Sequence, residues 1–245
     1  PIKKETTAKK KTHPLKTIKI LCRNKYFILI TLAFAVIYTS LGLTGGSRIY
    51  YAKYVLGDEM LNSTMTMFNY IPTILTIMLI PVFTKRFGKI KALFVGFLFY
   101  AAGLVLEIAG PVNLPMIYTG LVLQGIGHAA LYSCLFAIVG DVVDYSEWKD
   151  GIREEGITYS VTSFGQKIGT GLGTAALGWI LAAGHYDGTA AVQSASAIFA
   201  IKGLFLYLPL VITVIVLIIW YLFMGIDKIY PTVRKELDER REKAE

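Results

Sequence analysis

Six long apolar stretches separated by short polar connections organise the chain, at about 26–49, 62–84, 89–110, 112–139, 157–183 and 201–225. Each reaches the roughly 20 residues that an α-helix needs to cross a hydrocarbon core about 30 Å thick. The pattern predicts an all-α membrane protein of six transmembrane helices. A bundle over 26–226 would sit between a basic linker, 1–25, and a polar tail, 227–245. Pro72 and Pro81 fall inside the second stretch and predict a kink there. The segment 140–156 reads as a polar connection, and 185–200 as a small-residue outer loop leading into a short amphipathic stretch.

Composition agrees with this picture. Of 245 residues, 54% are hydrophobic and 17% charged, against about 25% charged in an average soluble domain. The net charge of +8 would suit nucleic acid if it formed one surface, but it is dealt out to chain ends and connections. Of 25 Lys and Arg, nine lie in 1–25, four in 85–91, two in 140–156 and six from Lys228 onward. These segments fall on one side of the predicted spans, and only Arg48, Lys53, Lys167 and Lys202 lie elsewhere. The excess of positive charge places that side, with both termini, in the cytoplasm. Residues 1–25 lack the apolar core of a secretory leader, and a start at Pro1 suggests a chain that begins inside a longer one.

Lys167 carries the most information. It lies about 11 residues into the fifth span, close to the bilayer midplane at 1.5 Å per residue, where a charge is costly and usually faces a polar cavity or partner. Tyr159, Ser160, Ser163, Lys167, Thr170 and Thr174 share a roughly 100° arc of that helix. Gly165, Gly169 and Gly173 line the opposite side at the spacing that lets another helix approach closely. The fourth span carries a second, weaker stripe, Gln124–His128–Tyr132, which also suits hydrogen bonding within the bundle. Thr66, Asn69, Thr73 and Thr76 share a face of the second span, where threonines commonly bond their own backbone. Near 140–156, Asp141, Asp144 and Glu147 with Arg153 face the same side as the basic connection containing Arg86, so ion pairs between the two connections are expected to hold one conformation closed. The tail from Pro231 reads as a solubilising surface helix.

No enzyme constellation is visible. His13, His128 and His185 are scattered, Cys22 and Cys134 are isolated, and there is no HExxH, GxSxG, phosphate-binding loop or CxxC. No metal site or organic cofactor is expected.

The run GDVVDYSEWKDGIREEGITYS at 140–160 resembles the signature between the tenth and eleventh helices of the glycoside–pentoside–hexuronide:cation symporters, a branch of the major facilitator superfamily. RIYYAKYVLGD (48–58), KRFGKIKALF (85–94), AAVQSASAIF (190–199) and GIDKIYPTVRKEL (225–237) are similar too. The resemblance covers nearly the whole chain but only the C-terminal half of the family. It implies the C-terminal six-helix bundle of a twelve-helix, bacterial inner-membrane carrier that moves a sugar with Na+ or H+ by alternating access. Its partners would be the sugar, the cation, membrane lipid and an N-terminal six-helix half, with no nucleic acid. It places Lys167 near the sugar and cation sites, matches Ser163 to a hydroxyl one turn earlier, and matches Tyr132 to an aromatic that is often Trp in the family. It assigns Asp141, Asp144 and Arg153 to a cytoplasmic gate. Gln124, His128, Tyr159 and Thr170 complete the candidate substrate or coupling set. The cation-binding carboxylates are expected mainly in the other half, because Glu107 stands near an outer helix end and no other span carries an acidic residue at depth. The alternative is a six-helix membrane protein without transport of its own, as an assembly or regulatory partner or a truncated product.

Overall fold

The structure, a computed structural model, describes residues 20–151 and 153–243. The expected linker at 1–25 therefore lies mostly outside the described residues. The described helices are α1 (Lys25–Tyr54), α2 (Leu61–Ile77), α3 (Ile80–Phe87), α4 (Lys89–Ala109), α5 (Leu114–Asp150), α6 (Glu155–Ala183), α7 (Ala195–Lys202), α8 (Leu208–Phe223) and α9 (Gly225–Glu242). A π-helical turn, Gly203–Tyr207, joins α7 to α8. The described residues contain no strand.

Four helical stretches are long and apolar enough to cross a membrane: Lys25–Tyr54, Lys89–Ala109, Leu114–Asp150 and the rod Ala195–Glu242. Helices α2 and α3 together make a fifth, broken by a 56° bend. Helix α6 is 29 residues long, but Gln166, Lys167 and its threonines dilute the apolar run, so it does not qualify on composition.

The bend in the second stretch has a local cause. Pro81 is in the first turn of α3. Its ring collides with the carbonyl four residues earlier in a continuous helix, and it has no N–H to donate. That carbonyl belongs to Ile77, where α2 ends. Pro72, by contrast, is carried inside α2.

Two polar segments read as connection and tail are built differently. Residues 140–150 continue α5, which runs for 37 residues from Asn113, whose side chain accepts from Met116 N–H, to Gly151 at φ 66°. Only a residue without a Cβ takes that left-handed angle cheaply. The C-terminal helix starts at Gly225, ahead of Pro231, and is fastened to the bundle. Ile226, Val233 and Leu237 are buried in the core shared with Tyr26, Phe223 and Val142, so the tail does more than keep the end of the chain soluble.

Helix α1 packs along α6 and touches α8, whereas α5 packs along α4 and α2. Contact between α5 and α6 is slight by comparison. The α1–α6 seam is made by the glycine row: a Cβ on Gly169 would strike the Ala35 carbonyl, and one on Gly173 the Thr39 carbonyl. The row therefore serves the close backbone approach that its spacing predicts.

Asp227, in the first turn of α9, caps a helix other than its own. Its Oδ2 accepts from the backbone N–H of Ile90 at 3.1 Å and of Lys91 at 3.2 Å, at the start of α4. Burial pushes this carboxyl above the usual carboxylate range, against the pull of those two amides and of Lys91 and Lys89. Asp227→Ala should cost about 1 kcal/mol, the usual worth of an N-cap side chain. Thermal unfolding in detergent reads this directly, and an unchanged midpoint would show that the contact adds nothing.

Candidate functional site

The polar arc of α6 is on the surface of this bundle. Tyr159, Ser160, Ser163, Phe164 and Lys167 line a recess of about 430 Å³. Lys167 is exposed and has no carboxylate within ion-pair distance among the described residues. Thr170 and Thr174 continue the arc, each hydroxyl bonded to the carbonyl one turn back, Gln166 and Thr170 respectively. That internal bonding satisfies both hydroxyls in an apolar setting. Tyr159 also donates from its hydroxyl to the Phe136 carbonyl at 3.4 Å, a link between α6 and α5.

The second stripe does not join this recess. Tyr132 is 45% exposed, but His128 and Gln124 are 9% and 5% exposed and point into the bundle. The His128 ring lies between Tyr100 and Tyr132, with centroids 5.0 and 5.8 Å away. Gln124 donates from Nε2 to Glu107 Oε1 at 2.7 Å. The stripe thus runs from surface to core along α5, and only Tyr132 is open to a substrate. On α2, Thr66 and Thr73 bond their own backbone. Thr73 also donates to the Gly125 carbonyl of α5, and Asn69 to that of Leu121.

Glu107 stands near the end of α4, as the sequence reading has it, and its side chain is 0% exposed, enclosed by the bundle. Arg48, which carries one of the few charges away from the basic side, donates to Thr66 Oγ1 at 3.1 Å.

At the end of the bundle that gathers the basic residues, the expected cross-connection ion pair is made by Lys89 rather than Arg86. Lys89 Nζ is 2.6 Å from Asp141 Oδ1. Arg86 has no ion pair among the described residues, and its guanidinium lies 5.4 Å from the Phe87 ring centre. Asp144 gathers Arg153 at 2.9 Å, the Tyr230 hydroxyl at 2.9 Å and Arg234 at 3.8 Å. Glu147 takes Arg153 at 2.5 Å and Arg241 at 3.0 Å. Trp148 donates from its indole N–H to Glu236 at 2.6 Å. Burial works against the Arg153 charge, but its hydrogen bonds to Glu147, Glu155 and Asp144 outweigh that and raise its pKa. Asn24, which caps α1 through Tyr26 N–H, donates to Ser146 Oγ at 2.8 Å and brings α1 into the same assembly. The network ties together the ends of α1, α4, α5, α6 and α9.

Sequence reasoning includes Lys89 in the basic connection 85–91 but misses Tyr230, Arg241 and Glu236 as partners. The available signal was the spacing of Ile226, Val233 and Leu237, which gives the tail an apolar face that needs a surface to cover it.

Lys167, without an ion pair among the described residues, stands on the polar face of a helix in a largely apolar bundle. Residues 1–228 match the family described as "MFS/sugar transport protein", and the chain belongs to that family. It is 31% identical over 242 residues to the isoprimeverose transporter of Lactiplantibacillus pentosus, covering 96% of this chain and 49% of that protein. It is 26% identical over 227 residues to the glucuronide carrier protein homolog of Escherichia coli (92% and 50%). An uncharacterized symporter of Bacillus subtilis is 25% identical over 231 residues (91% and 49%). The chain spans about half the length of these curated relatives.

Proposed function

We propose that this chain is the C-terminal, six-span half of a cation-coupled carrier for a glycoside, pentoside or hexuronide. The carrier works by alternating access in a bacterial inner membrane, with both ends of this half in the cytoplasm. The observation that carries the reading is the exposed, unpaired Lys167 in its hydroxyl-lined recess on α6. A carrier built from two halves keeps its site between them near the bilayer midplane. The recess offers what a sugar needs: hydroxyls at Ser160 and Ser163, an ammonium at Lys167 and aromatic surface at Tyr159. Tyr132 supplies a further ring from α5. Coupling follows when sugar and cation both favour the same occluded state, with the cation held mainly by residues of the other half.

The braced end of the bundle has a mechanical part in this cycle. Asp141, Asp144, Glu147 and Arg153 are engaged within the half, so they stiffen the surface against which the other half closes. Arg86 stands apart from that brace.

Two measurements test the reading. An immunoblot of host membranes with an antibody to the tail should give a band at about twice the 27.1 kDa of this chain, whereas a band near 27.1 kDa would favour a unit without autonomous symport. In proteoliposomes, the carrier that contains this chain should accumulate a labelled glycoside, pentoside or hexuronide only under an imposed Na+ or H+ gradient. Movement without accumulation would remove the coupling, and no movement of any of the three classes would remove the reading.

A further inference from the structure

Glu107 is the strongest unexplained group in the molecule. It is 0% exposed. Its Oε1 accepts from Gln124, but its Oε2 is buried and meets no hydrogen-bond donor. An ionisable side chain enclosed within a membrane bundle is rare and usually functional, and a buried carboxylate with half of its bonding capacity empty is expensive to keep. The charged and titratable groups around it are Arg48 and Tyr51 from α1 and Tyr100 from α4. On α5, His128 follows Gln124 by one turn. Among the described residues Glu107 forms no ion pair, with Arg48 or any other cation, in this conformation. Arg48 has an empty position of its own, since its Nε is buried without an acceptor.

The surrounding packing restricts what can fill the empty oxygen. A Cβ on Gly120 would lie 2.6 Å from Glu107 Cγ, and one on Gly103 would lie 2.9 Å from Gln124 Cγ. Helices α4 and α5 therefore close tightly on the stems of the pair. No group of three or more metal-ligating side chains forms among the described residues. A proton needs no room and no ligand shell.

We propose that Glu107 is a proton-binding site of this half, with Oε2 as the acceptor, and that it exchanges its proton as the carrier changes state. In the packed arrangement the carboxyl holds one proton on Oε2 and its Oε1 keeps the Gln124 bond. When α1 and α4 shift apart, water reaches Oε2, the proton leaves to that water, and the carboxylate is compensated by Arg48. The exchange rests on the carrier reading above, whereas the binding itself does not.

The test separates the two. Infrared difference spectra of the purified full-length carrier, taken between acid and alkaline solution, should show a carboxylic acid carbonyl band from a buried group. Glu107→Gln should remove it. Gln124→Leu should shift it, because the donor to Oε1 is lost, and this second variant keeps the test open if the first does not fold. Spectra unchanged by either substitution in folded protein would overturn the proposal. Sugar-driven proton uptake into proteoliposomes gives the second readout. Glu107→Gln should lose one proton per sugar moved while exchange of internal for external sugar continues. Wild-type stoichiometry in that variant would overturn the exchange step. A wild-type carrier that moves no sugar would sink the carrier reading and leave the infrared result standing.

Discussion

Lys167→Ala in the full-length carrier is expected to lower sugar uptake by roughly ten- to a hundredfold, the worth of one charge-assisted hydrogen bond of about 1.5–3 kcal/mol. The size follows from the surroundings of Lys167. Its ammonium is exposed in the recess and has no carboxylate within ion-pair distance among the described residues, so none of these contacts needs it for folding. Thr170 and Thr174 are satisfied by their own helix and cannot replace it. Lys167→Arg keeps the charge but puts a planar fork in place of a compact ammonium, and should restore uptake only in part. Initial rates of labelled sugar uptake, compared at equal amounts of protein in the membrane, decide the matter. Wild-type rates in the alanine variant would take Lys167 out of the mechanism.

The second large effect concerns the α1–α6 seam. Gly169→Leu should destabilise the bundle by about 3 kcal/mol or more, the upper range for forcing volume into a packed contact. The atoms in the way are the Ala35 carbonyl and the Thr39 amide of α1, and backbone cannot rotate aside as a side chain can. Gly171→Leu is the control. It adds the same side chain to the same helix two residues away, where a Cβ meets nothing within 4 Å, and should be tolerated. Thermal stability in detergent, read by fluorescence-detected size exclusion, distinguishes the two. Equal losses would mean that helix propensity, and not the seam, sets the cost.

Most of the scaffold was legible in the sequence because its cause is local. The apolar run over 26–49 became α1 and that over 89–110 became α4, since a membrane leaves a backbone few other ways to satisfy its polar groups. The glycine row was readable for a similar reason: small residues every fourth position on one face have little use except close approach. What stayed hidden depended on residues far apart in the chain. Residues 140–150 look like a loop because they are rich in charge, and nothing in the local pattern says that Asp141 is met by Lys89 of α4 and Asp144 by Arg153 while the helix continues. Lys89 and Arg86 are equivalent by composition, and only the path of the chain past Gly88, at φ 93°, sets the first against Asp141. Glu107 and Gln124 are 17 residues apart, on separate helices, and one sequence gives no sign that they meet. Within the candidate site, the arc from Tyr159 to Lys167 was visible as a helical face. The inward turn of Gln124 and His128 was not, because a polar stripe on a membrane helix reads alike whether it faces a cavity or a neighbouring helix.

The length of α5 has a consequence of its own. At 1.5 Å per residue its 37 residues make a rod of roughly 55 Å, far longer than the membrane is thick. A tilt of about 10° about its Asn113 end would sweep the far tip through roughly 10 Å. Glu147 and Trp148 sit close to that tip and grip Arg241 and Glu236 of α9. The rod is therefore a lever with a handle attached: a small rotation at its Asn113 end arrives at the far tip as a displacement the width of a helix, already coupled to α9.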